Sequence, residues 1–331
     1  MRIFSGIQPT GRKHLGNYIG ALVQWVAGQD RGDALYCLVD LHALTVAYEP
    51  DALRDAVYDT AATLLAAGLD PDRCILFRQS DVQEHSELTW LLSSVTSYGE
   101  LTRMTQFKDK AGSARELVTS GLFFYPVLMA ADVLVYRAHE VPVGEDQRQH
   151  VELMRDAAER FNARFGETLV VPEARIPGVG ARIMDLQFPE RKMSTTGGSP
   201  QGTVYVTDEP DAIVKKFRSA VTDSGTDVLR APDKPGISNL IDILAAVRGS
   251  SPEEVEASFN GSGYGAFKQA VADAVVEYLA PVRERYQELR GDEAELERIL
   301  ATGAEKARAI ASKTMVDVRE AMGVGPVRAR Q

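Results

Sequence analysis

Cysteine is nearly missing, with two residues in a chain of 331. Cys37 lies inside ALYCLVD and Cys74 inside CILF, both strand-like runs, so both read as reduced core residues. That excludes a cysteine-built zinc site and fits a cytoplasmic protein. Long apolar runs are missing too. None reaches the ~18–20 residues needed to span a bilayer, and the N-terminus has no signal-peptide pattern. Positive charge is in deficit: 37 Lys and Arg against 47 Asp and Glu leave a net charge of −10. Such a balance argues against a general polyanion binder, although a local basic patch could still hold a nucleic acid. No internal repeat or low-complexity tract occurs. What remains is 44% hydrophobic and 25% charged, an ordinary globular balance with core enough for about two domains.

The most informative stretch is Phe4 to Gly20, FSGIQPTGRKHLGNYIG. A short apolar strand passes through a Gly-, Pro- and Thr-rich loop into a helix at Leu15, where Leu15, Ile19, Leu22 and Val26 share one face. Gln8, Thr10, His14, Gly16 and Asn17 converge on the helix N-terminus, whose unpaired N–H groups and positive dipole end attract phosphate. Gly16 lets a flat ligand approach the backbone. The plainer alternative is a strand–loop–helix start whose polar residues only cap the helix.

Strands and helices then alternate. A buried strand is expected at Ala34–Asp40, followed by Leu41 and His42. A helix is expected over Asp51–Gly68, opened by Pro50 and closed by Gly68. A strand follows at Cys74–Phe77 and a helix from Val82 to Ser97. This spacing predicts βαβ units and a parallel sheet, with ligands at the carboxyl ends of its strands.

Residues 99–139 interrupt the alternation with a polar, basic loop (RMTQFKDKAGSAR) and a helix over Gly121–Ala138. Tyr125, Met129, Asp132 and Tyr136 fall on one face of that helix. A carboxylate in such company is costly to bury unless it accepts hydrogen bonds, so Asp132 is either a ligand-binding group or a structural ion-pair partner. A strand at Glu140–Val143 leads into Gly144-Glu145-Asp146-Gln147, which is also a good helix start by itself. After a loop around Pro172–Gly180 comes RKMSTTGGSPQGTVYV, where Lys192 on a mobile, Gly-rich loop could close over a triphosphate. Helical segments follow near Asp208–Ala220, Ile237–Arg248, Ala266–Arg290 and Asp292–Met322. KKFR at 215–218 is the clearest positive patch among them.

HLGN at 14–17, GEDQ at 144–147 and KMSTT at 192–196 together resemble the HIGH-like and KMSKS-like signatures of class I aminoacyl-tRNA synthetases. The Gly-x-Asp-Gln element narrows this to the tyrosyl/tryptophanyl subgroup. FSGIQPTG, LTRMTQFK, YPVLMAAD, VPVGEDQRQH, PEARIPGVGARIM, SAVTDS and KPGISNL are similar to blocks of the bacterial tryptophanyl-tRNA synthetase family over nearly the whole chain.

The resemblance implies an α/β fold: a Rossmann-like (HUP-type) parallel-sheet catalytic domain over 1–188, rejoined by 292–331. A smaller α-helical anticodon-binding domain would span 189–291, and 99–139 would supply a homodimer surface. It implies tryptophan, ATP with Mg²⁺, and tRNA(Trp) as substrates and partners. His14, Asn17, Lys110 and Lys192 would be catalytic. Gln8, Pro9, Thr10, Gly16, Gly144, Asp146, Gln147, Ile183, Met193, Ser194 and Thr195 would complete the ATP site. Tryptophan would meet Phe4, Gln8, His42, Tyr125, Met129, Asp132, Val141, Val143 and Gln147, with Asp132 accepting from the indole N–H. Thr195 stands where the family usually has a second lysine. Tyrosine specificity within the same fold, or a non-catalytic paralogue that binds tryptophan or RNA, are the alternatives.

Overall fold

Arg2–Ile7 forms strand β1, the middle strand of a five-stranded parallel sheet. The computed structural model describes residues 1–104, 119–176, 182–194 and 198–325, and excludes the side chain of Asp146. The other strands are β2 (Asp33–Leu38), β3 (Ile75–Arg78), β4 (Glu140–Pro142) and β5 (Glu173–Arg175), in the order β3-β2-β1-β4-β5. Phe4 pairs with Leu35 of β2, and Ile3 pairs with Glu140 of β4. The chain moves outward from β1 to β3, then crosses back to lay β4 on the other side of β1. A crevice opens outside the carboxyl ends of strands at such a reversal.

Strand β2 is buried on both faces, which explains its unbroken apolar run. Ala34, Tyr36 and Leu38 point into one core, and Leu35 and Cys37 into the other. Both cysteines are free and buried, and burial pushes the Cys74 thiol up to about 12.

Helix α1 is continuous through Leu15–Asn17, a π-turn at Tyr18–Leu22, and Val23–Gly28. It packs on one face of the sheet beside α3 (Pro50–Ala66), which has Pro50 in its first turn. Gly68 takes φ +111° just beyond α3, a conformation that favours glycine. The short α2 (Asp40–Ala43) starts where the β2 strand was expected to end, so Asp40 belongs to a helix.

Other boundaries differ from expectation for local reasons. Helix α4 (Glu84–Leu92) stops short of Ser97. The hydroxyls of Ser93, Ser94 and Thr96 bond back to the carbonyls of Trp90, Leu91 and Leu92, as Ser and Thr do where helices end. Helix α5 is Tyr98–Arg103, and α6 (Ser120–Leu134) ends before Ala138. Arg137 adopts φ +50° while Ala138 N–H reaches back to Val133 O, a left-handed stop that feeds β4. Tyr136 therefore sits in that turn and not on the helix. Helix α7 (Arg148–Phe165) follows β4, and β5 lies in what reads as loop. Three polar residues at a sheet edge carry no periodicity to announce a strand.

The remaining helices are α8 (Pro210–Arg218), α9 (Pro235–Arg248), α10 (Pro252–Ser258), α11 (Gly263–Arg290) and α12 (Glu293–Met322). The core on the α1 side runs unbroken from Leu15 and Leu22 through Met193 and Val204 to Phe217, Leu244 and Phe267. Helix α12 returns to the sheet on the opposite face. Ala307, Ala311 and Met315 join Phe4, Phe77 and Phe161 there. No helix among the described residues is long and apolar enough to cross a membrane.

The return of α12 depends on a close approach. A Cβ at Gly303 would overlap the carbonyl oxygen of Leu76 in β3. On a free helix, Gly→Ala would stabilise by about 1 kcal/mol. Here Gly303→Ala is expected to destabilise by about 2–4 kcal/mol, since backbone must move. Chemical denaturation reads the difference directly, and a gain in stability would refute the contact.

Candidate functional site

The loop after β1 enters α1 through a reciprocal cap. Asn17 N–H donates to His14 Nδ1 at 3.2 Å, and His14 N–H donates to Asn17 Oδ1 at 3.2 Å. The plain capping reading is therefore correct as far as it goes. The same bond fixes chemistry: with Nδ1 accepting, the neutral ring carries its proton on Nε2. Burial, then the charges of Lys192 and Lys13, lower the His14 pKa to about 4, so the ring is a neutral donor near pH 7. Lys13 Nζ donates to the carbonyls of Gln8 and Thr10 at 3.1 and 3.2 Å, holding the TGRK loop closed. Pro9 is buried, while Gln8 and Thr10 are exposed.

The segment after the KMSTT loop braces this entrance. Leu15 N–H donates to Val204 O at 2.8 Å, and Val206 N–H donates to Lys13 O at 2.9 Å. On the other wall, β4 ends at Pro142 and Gln147 N–H closes a turn onto Gly144 O at 2.9 Å. Gly16, Asn17, Val143, Gly144, Ile183 and Lys192 all line one cleft of about 680 Å³. Three loops far apart in sequence thus meet at the β1/β4 reversal. Met193 is buried and Ser194 half-buried beside Lys192. Lys110 and Thr195, and the side chain of Asp146, lie outside the described residues.

Of the residues expected around an amino acid, Val143 alone lines this cleft, and His42, Tyr125 and Asp132 form a second, buried cluster. Asp132, 2% exposed, is its centre. Its Oδ1 accepts from Gln79 Nε2 at 2.6 Å and His85 Nδ1 at 2.7 Å, and its Oδ2 from His42 Nε2 at 2.7 Å. Burial alone would raise its pKa, but His42 and His85 hold the carboxyl well below the usual range. Because His85 Nδ1 faces an acceptor, its Nε2 accepts from the Tyr136 hydroxyl at 2.7 Å. Asp132 thus gathers two histidines and a glutamine around one buried carboxylate. Oδ2 also retains a second acceptor position, since each carboxylate oxygen has two.

Tyr125 is buried, and its hydroxyl shares a 2.8 Å bond with His150 Nε2. Phe4 stacks on Tyr136 at 5.6 Å and Val141 is buried near it, so both belong to the sheet core, while Met129 and Val143 are half-buried. His85 and His150 were missed from sequence, whereas Gln79 was marked only by its place at the carboxyl end of the third strand. A buried His on the apolar face of EHSELTWLL was the one available signal for His85. KKFR also needs correction as a patch. Lys216 turns inward, bonding Asp208 Oδ2 at 2.6 Å and Thr203 O at 2.7 Å, and Phe217 is core. Only Lys215 and Arg218 face solvent. Among the described residues, no three His, Cys, Asp or Glu side chains are grouped to hold a metal ion.

A helix start at the reversal of a parallel sheet, faced by a lysine-bearing hairpin, is the arrangement of a nucleotide-binding α/β enzyme. The family described as tRNA synthetases class I (W and Y) matches residues 1–280, and the chain belongs to that family. It is 52% identical to tryptophan–tRNA ligase 2 of Streptomyces avermitilis, over 99% of this chain and 98% of the relative. The tryptophan–tRNA ligase of Wolinella succinogenes is 50% identical, with 98% of each chain covered. The crystal structure of Campylobacter jejuni tryptophanyl-tRNA synthetase complexed with ADP and tryptophan superposes with a TM-score of 0.87. That similarity is at 35% identity and covers 98% of this chain and 100% of the other.

The lowered His14 pKa makes a stability prediction. Between about 4 and the ordinary value of 6.5, the unfolded chain binds a proton that the folded chain does not. Stability therefore falls as pH drops through that window, by at most about 1.4 kcal/mol per pH unit. Urea midpoints measured from pH 7 to 4 should show this slope in the wild type and a shallower one in His14→Asn.

Proposed function

We propose that this chain is a tryptophan–tRNA ligase. It joins tryptophan to ATP as tryptophanyl-adenylate with release of pyrophosphate, then passes the tryptophanyl group to tRNA(Trp). The observation that carries this reading is the cleft where Gly16 and Asn17 of HLGN, Val143–Gly144 and Lys192 face one another, together with a separate buried carboxylate, Asp132, held by three donors.

In the first step a tryptophan carboxylate oxygen attacks the α-phosphorus of ATP. The new O–P bond forms as the α–β bridging bond breaks, and pyrophosphate leaves. The protein holds the reactants in line and stabilises the charge that moves outward. His14 donates from Nε2–H and the α1 N-terminus presents backbone N–H groups to the phosphates. Lys192 meets the departing pyrophosphate, and Lys110 is assigned to the same charge. Gln8, Pro9, Thr10, Gly16, Asn17, Gly144, Asp146, Gln147, Ile183, Met193, Ser194 and Thr195 complete the nucleotide site, and Mg²⁺ enters as a companion of ATP. With Thr195 replacing the second lysine, Lys192, Lys110 and their basic neighbours carry the whole pyrophosphate charge. In the second step the 3′-terminal ribose hydroxyl of the tRNA attacks the acyl carbon and AMP leaves.

Specificity rests on Asp132. An indole N–H fills the free acceptor position on Oδ2, whereas phenylalanine leaves a buried charge short of a donor, which can discriminate by ~10⁴-fold. Tyrosine is excluded by size, through Phe4, Met129 and Val143. Tyr125 and Gln147 hold the amino acid backbone. The enzyme works in the cytoplasm as a homodimer. Trp90 and Tyr98, each 74% exposed, and Phe123, whose ring lies 5.4 Å from Tyr98, favour a dimer face on the 99–139 side. Residues 189–291 serve as the anticodon-binding domain, with 1–188 and 292–331 as the catalytic one.

The test is ATP–pyrophosphate exchange with each amino acid. Exchange with tryptophan alone is expected. Exchange with tyrosine alone would overturn the specificity, and tight tryptophan binding without adenylate would overturn the activity. Lys192→Ala should lower kcat on the order of 100-fold with tryptophan affinity nearly unchanged, the signature of a group that acts in the transition state. Asp132→Asn should narrow the kcat/KM preference for tryptophan over phenylalanine by about 10-fold or more, because an amide cannot accept on both sides.

A further inference from the structure

Lys192 lies on a hairpin whose construction is unusual. Met184 faces Lys192 across an antiparallel pair, flanked by Met193 N–H to Ile183 O at 3.1 Å and Asp185 N–H to Arg191 O at 2.9 Å. In such a pair the backbone groups of Met184 point away from Lys192. Both meet one side chain. Asn239 Oδ1 accepts from Met184 N–H at 2.8 Å, and Asn239 Nδ2 donates to Met184 O at 3.0 Å. Asn239 comes from α9 and is itself buried.

The next residue, Asp185, is 1% exposed. Its Oδ1 accepts from Gln187 N–H at 2.8 Å, Phe188 N–H at 3.1 Å and the Ser199 hydroxyl at 3.2 Å. Its Oδ2 accepts from Ser199 N–H at 3.0 Å. One carboxylate therefore grips the chain on both sides of Lys192–Ser194. Glycine makes room for it: a Cβ at Gly202 would overlap Asp185 Oδ1, and one at Gly198 would overlap Ser194 O and the Thr203 hydroxyl. Every group facing Asp185 is a donor, so a carboxylate satisfies them and an amide cannot.

The geometry points to Asp185, seconded by Asn239, as a positioning residue that fixes the Lys192 hairpin for pyrophosphate departure. This rests on the role proposed for Lys192. It also supplies what a chain with Thr195 needs, because one lysine must be placed closely where two are usual. Asp185 touches no substrate and acts through the backbone it anchors.

The full-length protein tests this in two assays. Asp185→Asn is expected to lower kcat of tryptophan-dependent exchange on the order of 100-fold, with the tryptophan Kd measured without ATP within about twofold. Ser199→Ala, which removes the hydroxyl arm alone, should show the same split at about tenfold. Tryptic cleavage after Arg191 and Lys192 should be at least about tenfold faster in both variants, since cleavage follows local opening. Unchanged kcat and cleavage would overturn the anchor. So would parallel losses of kcat, tryptophan affinity and thermal midpoint, which would mark general destabilisation. Should Asp185→Asn not fold, Ser199→Ala decides alone. Should the wild type show no exchange, the ligase reading fails, and the cleavage rates still decide whether Asp185 anchors the hairpin.

Discussion

Everything in the molecule depends on the reversal of strand order beside β1. Laying β4 on one side of β1 and β2 on the other leaves two carboxyl ends with no chain crossing between them. The loops that leave those ends, after Ile7 and after Pro142, are forced to face each other. The helix dipole of α1, the donor on His14 and the turn at Gly144 gain a common target from that one topological fact. The later hairpin bearing Lys192 needs only to be braced against it. The backbone bonds from Val204 and Val206 to the HLGN entrance provide the brace.

Two buried carboxylates then sort the work. Asp132 and Asp185 are each almost fully removed from water, a costly state for a charge without partners. Each is satisfied differently. Asp132 is met by side chains from β3's end, α2 and α4, so it gathers three elements at one point and leaves one acceptor position on Oδ2. Asp185 is met by backbone N–H groups and one hydroxyl from its own hairpin, so it stiffens a loop. The first arrangement suits recognition and the second suits positioning. The core from Leu15 to Phe267 backs the second of them, because α9 reaches the hairpin through Asn239.

Much of this was legible in the residues. Alternation of buried strands with periodic helices gave the parallel sheet, and Pro50 and Gly68 marked the ends of α3. Asp132 stood out because an acid among Tyr125, Met129 and Tyr136 has no cheap place in a core. Where legibility failed, the cause was local. The Ser and Thr hydroxyls after Leu92 compete for the backbone and end α4 early. Arg137 takes a left-handed turn that no glycine signals. Glu173–Arg175 becomes a strand only because β4 offers it an edge.

The sequence by itself determined the alternating fold class and the identity of the loops at the strand ends. Those follow from periodicity, capping chemistry and motif text, all of which are local. Only the tertiary structure decided that His14 is a neutral donor with its proton on Nε2, that Lys216 is sequestered from KKFR, and that Gln79 and His85 complete Asp132. It also decided that Asp185 grips both sides of Lys192. Protonation, burial and hydrogen-bond partnership depend on what comes close in space from distant parts of the chain, and no spacing along the chain records that.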